Sequence, residues 1–149
     1  MSPKMRLSAV TLDCPDPLAL MAFYQRATGL EPHAESGAEF AGLCGEHGLL
    51  IGFQQVDGHR APTWPDPLVP QQLHLCFDVV DVDEAEARLL ELGASRPEHQ
   101  PNEKRWRVLI DPAGHPFCVI KARPRTDQER PGDRPGADHD RPGADHDRP

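Results

Sequence analysis

Val10-Thr-Leu-Asp-Cys-Pro-Asp16 and Leu75-Cys-Phe-Asp-Val-Val-Asp81 share one pattern, an apolar strand followed by an acidic turn, at an offset of 65 residues. A second pair of segments, Gly48-Leu-Leu-Ile-Gly-Phe53 and Gly114-His-Pro-Phe-Cys-Val119, matches at an offset of 66. Two copies are too few for a solenoid of repeats. They indicate one domain built from two similar halves.

The C-terminal end differs in composition from the rest of the chain. Arg134-Pro-Gly-Ala-Asp-His-Asp140 recurs as Arg141–Asp147, and residues 123–149 contain almost nothing apolar. Such a segment cannot bury enough apolar surface to offset the entropy of ordering, so we predict a disordered tail over 123–149. The folded domain is then expected within residues 1–122, a length that suits a single core.

Charge and composition exclude several classes of protein. The formal net charge is −8, and the acidic body has no basic stripe, which argues against nucleic acid or an anionic membrane as a partner. No apolar run is long enough for a membrane helix or a signal peptide. The four cysteines show no Cys-x-x-Cys spacing, so reduced thiols and a cytoplasmic location are expected.

Each half is predicted to fold as β-α-β-β-β, over residues 4–56 and 71–122, with a proline-rich linker between them. Asp16 and Asp81 are predicted N-caps, and the helices should end at Gly29 and Gly93. Alternating apolar residues and turn signals predict the following strands: 7–12, 40–43, 49–56, 73–79, 106–110 and 115–121.

The strand over 73–79 decides which side chains face away from the second helix. Its period of two places Leu73, Leu75 and Phe77 toward the helix and His74 and Cys76 on the opposite side. That opposite side, which also carries Cys118, must be either a second core or the wall of a cavity.

These residues resemble the vicinal oxygen chelate superfamily, which includes glyoxalases, bleomycin-resistance proteins and extradiol dioxygenases. The segments that carry the resemblance are Ala22-Phe-Tyr24, Trp64-Pro-Asp-Pro67, Gln71-Gln-Leu-His-Leu75, Asp81-Val-Asp83 and Trp106-Arg-Val-Leu-Ile-Asp-Pro-Ala-Gly-His-Pro-Phe-Cys118. The resemblance covers about residues 4–122 and points to the glyoxalase-like domain members. It implies an α+β fold in which two βαβββ modules, with eight strands, form a curved open sheet around a cavity.

The resemblance also implies where a metal would be held, on the first and last strands of each module. In the second module these positions are His74 and Cys118, whereas their counterparts Ala9 and Gly52 have no donor atom. Cys76 could complete a Cys2His set for zinc. Because two of the four positions lack donors, the favoured interpretation is a site without a confident cofactor, and a divalent metal is the alternative.

Three functions stay open at this point. One is a divalent-metal lyase or dioxygenase that polarises vicinal oxygens. Another is a metal-free protein that binds a small molecule, and a third is a metal-free enzyme with His74 as general base. Binding of a small molecule is favoured, with His74 as the candidate catalytic residue and His74, Cys76, Trp64 and Gln54 as ligand-binding residues. The reaction and substrate are not fixed, and a homodimer is a possible assembly.

Overall fold

The computed structural model describes residues 4–122, so the predicted tail lies outside the described residues. The chain divides after Arg60 into two units, and each unit contains one of the predicted modules. Each unit has its own sheet and its own helix, which confirms the predicted α+β class.

Module one follows the predicted β-α-β-β-β order. Its elements are β1 (Ala9–Cys14), α1 (Pro17–Thr28), β2 (Glu31–Pro32), β3 (Phe40–Cys44) and β4 (Leu50–Gln55). The strands lie in the order β1-β4-β3-β2, with β1 parallel to β4 and the other pairs antiparallel.

Both ends of α1 follow from the sequence. The Asp16 carboxylate accepts a hydrogen bond from the Ala19 backbone N–H at 3.2 Å, and Pro17 occupies the first turn, where no N–H is needed. The helix ends at Gly29, whose φ of 75° is the left-handed conformation that glycine adopts without steric cost.

Module two repeats this arrangement with one strand fewer. It contains β5 (Leu75–Val79), α2 (Val82–Leu92), β6 (Trp106–Ile110) and β7 (Pro116–Lys121) in the sheet order β5-β7-β6. Asp81 caps α2 by accepting from the backbone N–H groups of Asp83 and Glu84. The strand β5 is parallel to β7, as β1 is to β4.

The strand registers confirm the internal repeat. Thr11 is opposite Gly52 in module one, and Cys76 is opposite Cys118 in module two, at the offsets of 65 and 66 read from the sequence. On the other side of β4 and β7, the pair Gly42 and Gly52 corresponds to Val108 and Cys118.

The prediction of eight strands is wrong by one for the described residues, which form seven. In place of a fourth strand, module two has a single bridge between Ser95 and Ile110. The Gln100 side chain then supplies both partners that a strand would give Val108: its Nε2 donates to the Val108 carbonyl and its Oε1 accepts from the Val108 N–H, each at 2.9 Å.

The predicted burial of Leu73 is also wrong, because 55% of this residue is exposed. The strand begins at Leu75 rather than at Leu73, and Leu75 pairs with Phe117. The partner strand β7 starts at Pro116, which has no N–H to continue the ladder toward Leu73.

Side-chain contacts show which face of each sheet is turned from its helix. Phe53 stacks on Tyr24 of α1, so Gly52 points the other way, and Arg107 pairs with Asp83 of α2, so Trp106 points the other way. We call these sides the helix-distal faces. In module one the helix-distal face comprises Thr11, Phe40, Gly42 and Gly52; in module two it comprises Cys76, Trp106, Val108, Cys118 and Ile120.

Candidate functional site

Three potential metal or ligand donors meet on the helix-distal face of module two. One donor atom from each of His74, Cys76 and Cys118 lies within 4.8 Å of the other two. Cys76 is in the middle of β5, Cys118 is its direct neighbour in β7, and His74 immediately precedes β5. Among the described residues this is the one group of three such side chains that could hold a metal ion.

Burial gives this cluster an inner and an outer side. Cys118 is 1% exposed, whereas His74 and Cys76 are half-buried. Neither cysteine is in a disulfide. Cys118 therefore forms the base of the cluster, and His74 and Cys76 are its two partly exposed members.

Aromatic and aliphatic side chains surround Cys118. Trp106, Val108 and Ile120 form a buried cluster with it, and Trp64 and Cys76 pack against that cluster. Trp64 is held in position by its loop, because the Thr63 hydroxyl accepts from the Val69 N–H at 2.8 Å and donates to the Asp66 carbonyl at 2.9 Å.

Two buried polar atoms in this unit have no hydrogen-bond partner among the described residues. They are the Nε1 of Trp106, a residue only 2% exposed, and the Oε1 of Gln71. A buried donor or acceptor without a partner costs about 1–3 kcal/mol. Both atoms are closed to solvent, so they belong to the packed interior beside the cluster.

The donor set tests whether these residues fit the divalent metal that the fold family implies. Imidazole nitrogen and thiolate sulfur are ligands of zinc and of softer ions, while Mn2+ and Mg2+ prefer oxygen. Three protein ligands with a half-buried outer side match the open coordination of a catalytic zinc. His74, Cys76 and Cys118 therefore fit a zinc-like ion.

The ion pairs of α2 lie on the helix side of the module-two sheet, away from the cluster. Arg107 pairs with Asp83 at 2.7 Å and with Glu86 at 3.3 Å, and Arg96 pairs with Glu86 and Glu103. Burial opposes the charged form of Arg107, but its bonds to Asp83 and Glu86 outweigh that penalty and raise the pKa of the guanidinium. The pairs of Arg107 join α2 to β6, and none of these charged residues is part of the cluster.

Gln54, the remaining predicted ligand-binding residue, belongs to module one. Its side chain is exposed, and its Nε2 donates to the Glu39 carbonyl at 3.3 Å. The helix-distal face of module one offers no counterpart of Cys118, because a Cβ at Gly52 would lie 2.9 Å from both the Phe40 ring and the Thr11 hydroxyl.

Sequence reasoning missed two features of this region. It did not include Trp106 among the candidate site residues, although the offset of 66 that aligns Trp106 with Phe40 could have placed it on the helix-distal face. It also gave no role to Gln100, whose amide substitutes for a strand. No pattern in the sequence distinguishes Gln100 from an ordinary loop residue.

Comparison with known proteins adds a family. The family model described as "Glyoxalase-like domain" matches residues 9–120. The proteins named "Putative glyoxylase CFP32" in Mycobacterium bovis and Mycobacterium tuberculosis are 36% identical over 116 residues, which cover 76% of this chain. The match spans 42% of each of these curated relatives, so the chain corresponds to less than half of their length.

Solved structures show the same fold at lower identity. A possible glyoxalase from Bacillus cereus has a TM-score of 0.59 at 20% identity, over 78% of this chain and 98% of its own. A variant of the fosfomycin resistance protein FosX from Listeria monocytogenes, in complex with Mn(II) and 1S,2S-dihydroxypropylphosphonic acid, has a TM-score of 0.59 at 24% identity, over 79% and 90%. Lactoylglutathione lyase from Agrobacterium tumefaciens has a TM-score of 0.54 at 22% identity, over 82% and 96%. Among residues 4–122, the helices are too short and too polar to cross a membrane.

Proposed function

This chain belongs to the glyoxalase-like domain family, and on that premise we propose that it binds a small molecule on the helix-distal face of module two. The observation that supports the proposal is the convergence of His74, Cys76 and Cys118 within 4.8 Å, beside a buried indole N–H that has no partner. A polar cluster set among apolar and aromatic side chains is the usual composition of a ligand site.

His74 is the polar group in the best position to contact the ligand. It is half-buried and lies at the beginning of β5, whereas Cys118 is enclosed by Trp106, Val108 and Ile120. An imidazole ring carries a nitrogen that can accept a proton from a bound molecule. His74 is accordingly the candidate general base if the bound molecule is also transformed.

The surrounding side chains define the class of ligand. Trp64, which is half-buried against the cluster, offers flat apolar surface. We infer a planar or partly aromatic molecule that carries an oxygen able to pair with His74. Gln54 is retained as a proposed ligand contact from the sequence.

A metal-dependent lyase or dioxygenase is the second candidate, and the donor set favours it. His74, Cys76 and Cys118 would hold a zinc-like ion, which when bound supplies a Lewis acid for an oxygen of the substrate. A FosX structure contains Mn(II), and the set here differs from that oxygen-preferring metal by its two sulfurs. A homodimer and a cytoplasmic location remain proposals from the sequence.

Thermal denaturation of the purified full chain with catechol, a planar molecule with vicinal oxygens, tests binding. It is done with and without added Zn2+. We expect a rise in melting temperature that His74→Ala abolishes while the melting temperature without ligand is nearly kept. His47→Asn is the matched control, because His47 is an exposed histidine of module one with a φ of 57°, which asparagine tolerates.

Metal analysis separates the two candidates. About one zinc per chain that survives dialysis, and that His74→Ala removes, would support the metal-dependent enzyme. A catechol shift that is unchanged by zinc would support metal-free binding. If the His74→Ala protein is destabilised but still shows the full rise in melting temperature with catechol, His74 is a structural residue and the proposal is contradicted.

A further inference from the structure

Two of the four cysteines are direct neighbours across parallel strands. Cys76 in β5 and Cys118 in β7 are partners in the strand register, and their sulfurs lie within 4.8 Å of each other. Neighbouring residues of this kind project from the same face of a sheet, and both side chains contribute to the buried cluster with Trp106.

The backbone spacing allows a covalent bond between them. Adjacent strands are about 4.7–4.9 Å apart. That spacing lies within the range of about 4.4–6.8 Å observed between the Cα atoms of disulfide-bonded cysteines. We propose that Cys76 and Cys118 form a reversible disulfide on exposure to hydroperoxide, and that this bond regulates the helix-distal site of module two.

Burial sets the order of the chemical steps. The half-buried sulfur of Cys76 attacks the peroxide, so that the O–O bond breaks, an alcohol or water leaves, and a sulfenic acid forms on Cys76. The enclosed sulfur of Cys118 then attacks the sulfenic sulfur; the S–S bond forms, and water leaves. Two thiols lose two electrons and two protons, and one peroxide is reduced.

The other cysteines have no such neighbour. Cys14 lies opposite Gln55, and Cys44 lies opposite Leu50 in β4 and Glu31 in β2. Within module one the positions that correspond to Cys76 and Cys118 are Thr11 and Gly52. The disulfide is therefore specific to module two.

The regulatory consequence rests on the proposed function. A disulfide between Cys76 and Cys118 removes both thiols from the cluster and leaves His74 as its single donor. Because a metal needs thiolates as ligands, the oxidised protein should lose its affinity for a zinc-like ion. Binding would then depend on the redox state, and a reductant would restore it.

Peptide mapping of the full chain tests the bond directly. Reduced protein is treated with hydrogen peroxide, its remaining thiols are alkylated, and it is digested with trypsin, which places each cysteine on a different peptide. We expect a disulfide-linked pair of peptides 61–88 and 108–121, the loss of two thiols per chain and recovery of both with dithiothreitol. Cys44→Ser should behave like the wild type.

Two variants keep the test decisive. Cys118→Ser should give no linked pair and leave a sulfenic acid on Cys76 that dimedone traps; if Cys118→Ser fails to fold, the half-buried Cys76→Ser should also abolish the linked pair. Oxidation that instead converts only Cys44, or cross-links chains through it, with Cys76 and Cys118 still open to alkylation after denaturation, would overturn the proposal.

Cobalt(II), which reports thiolate ligands by its visible spectrum, separates this inference from the proposed function. We expect at least a tenfold loss of Co(II) affinity on oxidation and its return with dithiothreitol. If the linked peptides form but the reduced protein binds neither Co(II) nor catechol, the proposed function is contradicted and the disulfide is still supported. If the reduced protein binds both probes but forms no linked peptides on oxidation, only the proposed disulfide is contradicted.

Discussion

The two modules share one strand register and differ in what occupies their helix-distal faces. In module one the key position is Gly52, and the half-buried ring of Phe40 fills the space that a side chain there would need. In module two the same position is Cys118, which is buried beside Trp106. The difference teaches that the backbone supplies equivalent strand positions in both modules, and that side-chain identity decides which module brings potential ligand donors together.

Small residues explain why module one cannot mirror the cluster. Gly42 and Gly52 are neighbours in its sheet, and a Cβ at Gly42 would lie 2.9 Å from the Leu50 side chain. The corresponding pair in module two is Val108 and Cys118, both buried. In module one the Phe40 ring and the Leu50 side chain lie where side chains at Gly52 and Gly42 would otherwise extend.

The largest effect should come from removing the buried indole of the module-two face. Trp106→Ala deletes a side chain that is 2% exposed, so we expect a loss of about 3–5 kcal/mol in the free energy of unfolding. Phe40→Ala, its counterpart in module one, removes a half-buried ring and should cost about 1–2 kcal/mol. Urea unfolding measures both. Equal losses would mean that the two faces are packed alike.

The fold was largely predictable because its signals are local. The caps Asp16 and Asp81 and the terminal glycines Gly29 and Gly93 predict both helices, and the two offsets predict two modules of like element order. The pairing of the strands within each module was not predicted. The prediction that Leu73 is buried is wrong for a physical reason. Alternation reports which face of a strand a residue would occupy, but not where a proline in the neighbouring strand ends the ladder.

The candidate site was predictable to a smaller extent. The period of two placed His74 and Cys76 on one face, and the repeat placed Cys118 opposite, so the cluster could be anticipated. The unpartnered N–H of Trp106 could not be predicted, because whether a buried polar atom finds a hydrogen-bond partner depends on all its neighbours in three dimensions. The same holds for the amide of Gln100.

An intermediate effect is expected where side chains replace a strand. Gln100→Ala leaves the N–H and the carbonyl of the buried Val108 without their amide partner, at a cost of about 2–3 kcal/mol. In module one Ser36→Ala removes the hydroxyl that accepts from the Gly42 N–H and donates to the His33 carbonyl. The Gly42 carbonyl keeps its bond from the His33 N–H, so about 1 kcal/mol should be lost. Denaturant midpoints compare the two variants. A Gln100→Ala protein as stable as wild type would show that water replaces the amide fully.

The smallest effect should come from adding one methyl group to module one. Gly52→Ala places a Cβ 2.9 Å from the Phe40 ring, and we expect it to cost about 1 kcal/mol because the ring must move. In a Phe40→Ala background only the 2.9 Å approach to the Thr11 hydroxyl remains, and rotation of that exposed side chain can relieve it, so most of the cost should disappear. Alanine also loses less backbone entropy than glycine on folding. A double-mutant cycle measured by urea unfolding should therefore give a coupling of about 1 kcal/mol. Gly37→Ala, where an added Cβ has nothing within 4 Å, is the control and should not couple to Phe40. If Gly52→Ala costs the same in both backgrounds, the Phe40 ring is not what keeps module one free of a side chain at this position, and the contrast with Cys118 needs another cause.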